Sequence, residues 1–250
     1  MIITLPLILS VITATISAIF TGVVFLRWLA ARREGKLRPH LLAWSIGLAL
    51  YFLGSFSQVI LSFTWSPLFF ALWEWAGALM VAPWLGQGTV YLLVRRGSIA
   101  RNIQMALILI GVMTLPWALF LTPLNGDAWR PGIDMLSIID QVMQKGGVRG
   151  FVPIMNIWGT VALVGGAIYS AWLFRRKGIM ANRVYGNWLI AAGGLLPALG
   201  GALIRLNLTE LKYAGEMFGV ILIFIGFLLA TNHPEEVKAP NKRQSAEAVG

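Results

Sequence analysis

The chain has no cysteine and only two histidines, His40 and His233. The missing cysteine removes disulfides, thiol nucleophiles and Cys-based metal sites together. Without a His-Glu-x-x-His or paired-Asp motif there is no constellation for catalysis or for a resident metal, so the reading is a non-enzyme that carries no cofactor. Charge is also scarce. Asp, Glu, Lys and Arg make up 12% of 250 residues, with only ten acids among them, whereas 58% of the chain is hydrophobic and the mean hydropathy is +0.75. A soluble domain carries about 25% charge. The apolar runs do not alternate at period two, which excludes a membrane β-barrel.

What remains is helix in lipid. About 20 apolar residues at 1.5 Å rise cross a hydrocarbon core, and a helix satisfies its own backbone there. Seven runs are read: about Ile2–Leu26, Leu41–Phe63, Leu68–Val94, Ile103–Leu121, Phe151–Phe174, Tyr185–Ile204 and Tyr213–Thr231. The expected fold is all-α, an integral membrane bundle of seven helices over residues 1–231. A polar tail over 232–250 is expected to be disordered. Run one has no basic n-region and no small-residue cleavage site, so it reads as retained. Between runs four and five lies a long connection, residues 122–150. Met135, Leu136, Ile138, Ile139, Val142 and Met143 recur there at three- and four-residue steps, which predicts a short amphipathic helix on the membrane surface or over the bundle.

The cations set the orientation, because Lys and Arg next to spans stay cytoplasmic. With the amino terminus outside and the carboxyl terminus inside, 15 of the 20 fall on the inner side, in clusters such as Arg32-Arg33, Arg95-Arg96 and Arg175-Arg176-Lys177. The outer side holds Arg130, Lys145, Arg149, Arg205 and Lys212. This placement accounts for the net charge of +10 through anionic lipid, not nucleic acid. A multi-pass protein of the cell's inner (plasma) membrane is the reading, with the lipid bilayer as its first partner and a partner membrane protein left open.

Glu74, in Trp73-Glu74-Trp75-Ala76-Gly77, sits inside run three about 9 Å below Leu68. A near echo, Glu216-Met217-Phe218-Gly219, sits in run seven. Trp28 and Trp44 bracket the first inner loop at a spacing of 16, and Trp172 and Trp188 bracket the third at the same spacing. Runs one to three (about 1–94) and five to seven (about 151–231) therefore read as a 3+1+3 repeat, with run four, about 103–121, as the connector. A duplication of this kind places sites between its halves.

In that arrangement Gln58, Glu74, Asn156, Arg205 and Glu216 all fall in the outer half on five different helices. An ionised group at mid-membrane costs roughly 2.5–3.5 kcal/mol and normally faces the bundle interior with a partner. Arg205 is the partner expected. The set forms either a ligand or ion site or a structural ion pair. Trp73, Trp75 and Trp158 share that half and suit an aromatic wall for a cationic or amphipathic ligand. Pro83 and Pro197 are expected to kink runs three and six, each freeing a carbonyl one turn earlier.

This layout resembles that of microbial rhodopsins: seven helices, 3+1+3 organisation, and acids in the outer halves of helices three and seven. In that family the acids are counter-ions to a retinal Schiff base. Here the place of the retinal lysine is Val220, Lys212 lies on the wrong side, and the helix-three Arg is missing, so the resemblance implies topology without retinal. SWEET-class sugar transporters share the organisation, but their Pro-Gln signature is absent. In texture the chain is similar to a group of uncharacterised bacterial seven-helix membrane proteins, through phrases such as Ala82-Pro83-Trp84-Leu85-Gly86-Gln87-Gly88 and Leu163-Val164-Gly165-Gly166-Ala167. Three functions follow as expectations. One is a transporter or channel for a small solute or ion with its site between the repeats. The others are a retinal-free, opsin-like receptor or sensory module, and a structural or accessory subunit.

Overall fold

The computed structural model describes residues 3–94, 97–178, 181–200, 203 and 208–231. These form eight helices and no strand: α1 Leu5–Arg33, α2 Pro39–Leu61, α3 Pro67–Leu93, α4 Ser98–Leu121, α5 Met135–Val142, α6 Gly147–Arg176, α7 Ala181–Ala198 and α8 Thr209–Thr231. Six of them (α1 to α4, α6 and α8) are long and apolar enough to cross a membrane. The protein is thus a helical, multi-pass membrane protein. The tail, Arg205 and the basic pair Arg95-Arg96 lie outside the described residues.

Local chemistry sets the helix ends. Thr4 and Ser66 cap the first turns of α1 and α3, and a proline stands in the first turn of each, where its missing N–H is no loss. Within α1, the hydroxyls of Thr13 and Ser17 donate to the carbonyls of Leu9 and Thr13 at 2.8 and 2.7 Å. These two buried hydroxyls of α1 therefore need no partner from another helix. The outer surface is apolar: Leu109, Val112, Met113, Phe120 and Ile154 are all more than half exposed. Water would not tolerate so continuous an apolar surface, and acyl chains do.

Helices with no hydrophobic force between them approach through small residues. A Cβ on Gly54 of α2 would stand 2.6 Å from the Cα of Gly77 on α3. On Gly193 of α7 it would stand 2.6 Å from the carbonyl oxygen of Gly219 on α8, and the same pair of helices meets again at Gly186 and Gly226. At Gly159 of α6 a Cβ would lie 2.2 Å from the carbonyl carbon of Ala82 on α3. This third crossing joins α1–α3 to α6–α8. A second seam joins α1 to α8, where Phe20 stacks on Phe224 at 4.5 Å and Arg27 hydrogen-bonds Thr231. Helix α4 is peripheral. Among the described residues its polar contacts to other helices run to α3, through Gln87 to the Ala100 carbonyl, Tyr91 to Gln104 and Trp75 to Thr114.

Pro83 does not act as a lone kink. The irregularity lies upstream, where Trp73–Met80 is wound as π-helix before α-helix resumes at Val81. Wider winding is a second way to absorb a helix interruption, and such segments gather at functional sites. Helix α6 has one too, at Val161–Gly165. Pro197 stands near the end of α7 and packs its ring on Gly219.

A cavity between the helices with two acidic side chains

A cavity of about 660 Å³ lies among α2, α3, α6, α7 and α8, within the size range of small-molecule sites. Gln58, Trp73, Glu74, Asn156 and Glu216 line it, with Pro197, Tyr51, Lys212 and Arg149. Five of the residues expected from sequence to share one half of the bundle therefore meet at one space, and both Glu-x-x-Gly segments contribute their carboxylate to it.

The two acids are held differently. Glu216 pairs with Lys212 one turn before it, at 2.8 Å, and its backbone carbonyl accepts a hydrogen bond from the Tyr51 hydroxyl at 2.8 Å. Lys212 also stands over the rings of Tyr213 and Trp73, at 5.3 and 5.8 Å, a cation–π arrangement that favours its charge. Glu74 is only 3% exposed and has no hydrogen bond or ion pair among the described residues. Arg149 and Lys212 are within electrostatic range of it, neither in contact. Gln58, also 3% exposed, leaves its Oε1 without a partner. Asn156 is committed: its Nδ2 donates at 2.9 Å to the carbonyl of Ala78, inside the π segment and close to the N–H that Pro83 lacks.

Two of the expected wall residues face elsewhere. Trp75 points to α4, where its Nε1 donates to the Thr114 hydroxyl at 3.1 Å, and Trp158 does not line the cavity. The reason is angular. Successive helix residues are about 100° apart, so Trp73 and Trp75 cannot both face the interior, nor can Asn156 and Trp158. Pro83 lies behind the cavity wall against Gly159. The cation beside Glu216 among the described residues is Lys212; the partner expected from sequence, Arg205, lies outside them.

The connection over 122–150 roofs the cavity. Met135, Leu136, Ile138 and Val142 of α5 are buried, and Leu136 and Ile139 line the space below. Asp134 caps α5 through the Leu136 N–H at 3.0 Å and accepts the Tyr213 hydroxyl on the same oxygen at 2.6 Å. Trp129 Nε1 donates to the Leu61 carbonyl at 2.8 Å, and the Gly132 N–H to that of Ser62 at 3.0 Å. At the far end Asp140 pairs with Arg149 at 2.7 Å and Lys145 at 3.1 Å. The Arg149 guanidinium, and after it the Lys145 ammonium, hold the Asp140 carboxyl below the ordinary aspartate range. This clasp is present at neutral pH and is lost as pH falls through that lowered value.

The Tyr213 tether gives a direct test. Tyr213→Phe keeps the ring and removes one hydrogen bond to a carboxylate, so it should lower stability by about 1.5–3 kcal/mol. It should also speed tryptic cleavage after Arg130 and Lys145 relative to sites elsewhere. Unchanged cleavage would mean the roof is held by its apolar face alone.

Among the described residues no group of His, Asp and Glu is suited to hold a metal ion. No protein-family model, curated protein or solved structure matches this chain.

Proposed function

We propose that the protein is a carrier or channel for a small solute or ion, with its site in this cavity. The observation that carries the reading is Glu74: a buried carboxylate without a protein partner, facing a space that a second acid also lines. A carboxylate with a structural role alone would be paired, as Glu216 is with Lys212 on its own helix.

In this reading α7 is the seventh span, packed along α8 through its glycines. The amino terminus is outside, so the α5 roof faces the exterior of the cell's inner membrane. The 3+1+3 repeat is supported by the crossings. In both Glu-x-x-Gly segments the glycine lies close against a glycine of the preceding helix, Gly77 against Gly54 and Gly219 against Gly193. The halves differ in that α3 carries a π segment and α8 is regular throughout.

The test is flux in proteoliposomes. Uptake of protons, read with an entrapped pH dye, and of labelled methylammonium should exceed that of empty vesicles. Glu74→Gln should reduce it by about tenfold or more, the worth of one charge-assisted contact, with the protein still folded. Flux no greater than in empty vesicles would reject the carrier, and thermal stabilisation by added solute without flux would favour a sensor.

A further inference from the structure

Two acceptors at the cavity have no donor among the described residues. Gln58 Oε1 on α2 is buried without a donor, and Glu74 on α3, itself a buried residue, accepts no hydrogen bond among the described residues. An anion or an ether would add a third acceptor to the two already there. An occupant with N–H donors and a positive charge satisfies both at once.

The walls identify the other end of the occupant. Ile157 and Val161 of α6 are 66% and 67% exposed on the perimeter of the bundle, yet both line the cavity. Across from them stand Pro197 and the exposed Ala198 of α7, which line it too. Exposed residues of both helices thus line the cavity, which places a side opening between α6 and α7, with Thr160 the one hydroxyl on that face of α6. The π segment that begins at Val161 widens α6 at this opening.

We infer that the site takes an amphipathic primary ammonium, its headgroup on Glu74 and Gln58 and its apolar chain leaving between α6 and α7 into the lipid. This rests on the cavity being a ligand site and is independent of whether the ligand is carried across.

The experiment is a binding titration of the full chain in maltoside micelles, read by tryptophan fluorescence and by heat. The probes are octylammonium, methylammonium, octyltrimethylammonium and octanoate. Octylammonium should bind at least about tenfold more tightly than methylammonium, which lacks the chain, and than octyltrimethylammonium, which keeps the charge but cannot donate. Octanoate should not bind. Glu74→Gln should weaken octylammonium by about tenfold or more. Val161→Trp replaces an exposed residue, so folding is not at risk. It should narrow the preference for octylammonium over methylammonium to a few-fold by filling the opening.

Equal binding of octylammonium and octanoate would show partition into the micelle and overturn the inference. So would octylammonium binding that ignores Glu74→Gln, or a preference untouched by Val161→Trp. The outcomes separate cleanly. This pattern without flux in vesicles rejects the carrier alone. Methylammonium flux that depends on Glu74, without preference for the chain, rejects the amphipathic ligand alone.

Discussion

Replacing Gly159 with leucine is expected to force the two groups of helices apart. At this crossing of α6 and α3 a single added Cβ would stand 2.2 Å from the carbonyl carbon of Ala82, 2.4 Å from its oxygen and 2.5 Å from the nitrogen of Pro83. These are backbone atoms in a helix already interrupted by a proline, so no rotamer change can make room. The helices would have to separate by about 1 Å or more to reach ordinary contact. Doing so opens the facing contact, where the Gly159 carbonyl lies against Gly86. Overpacking of a tight core costs about 1–3 kcal/mol per inserted group. Leucine adds a branched chain beyond the Cβ, so the loss should sit at or above the top of that range. The matched control is Gly165→Leu, six residues along the same helix, where a Cβ meets nothing within 4 Å. It should leave SDS-induced unfolding unchanged. Equal losses from the two substitutions would mean that helix propensity, not the crossing, sets the cost.

The glycine crossings illustrate what was legible in the sequence and what was not. Long apolar runs can satisfy their backbone only as helices, so composition reads as seven runs, six of which stand in the structure as helices long and apolar enough to span. The short amphipathic helix was visible because Met135, Leu136, Ile138 and Val142 repeat at helical spacing, although its role as a roof depends on Tyr213 from α8. The convergence of Gln58, Glu74, Asn156 and Glu216 was anticipated from depth alone: polar groups at one level of a bundle turn inward. Depth does not fix azimuth, which is why Trp75 and Trp158 were grouped with neighbours that face the other way. The π segment at Trp73–Met80 has no local signature beyond Pro83 downstream. The pairing of Lys212 with Glu216 is hard to read from sequence because the lysine backbone lies toward the helix end. A four-carbon stem lets its ammonium reach one turn deeper to Glu216, and charge counting by position misses that.

The largest contrast is expected between the two acids when each is replaced by leucine. A buried charge without a partner is a net cost to a membrane protein, of the order of 2.5–3.5 kcal/mol at mid-bilayer and less toward the interface. Glu74 is a buried acid with no hydrogen bond or ion pair among the described residues, so Glu74→Leu should stabilise the protein by about 1–3 kcal/mol while uptake in vesicles falls to background. Glu216→Leu removes the counter-ion of Lys212, whose side chain is only 15% exposed, and leaves an ammonium facing an apolar neighbour. That pair retains some solvent, so its loss should cost about 1–2 kcal/mol, below the value for a fully buried pair. The double change Glu216→Leu with Lys212→Met should recover most of this, because a pair replaced together leaves no orphan. Unfolding in SDS measures all three. Opposite signs for the single substitutions would mean that Glu74 is kept against stability, which is the mark of a group retained for what enters the cavity. Losses of the same sign and size would make both acids fasteners, and the cavity a gap between them.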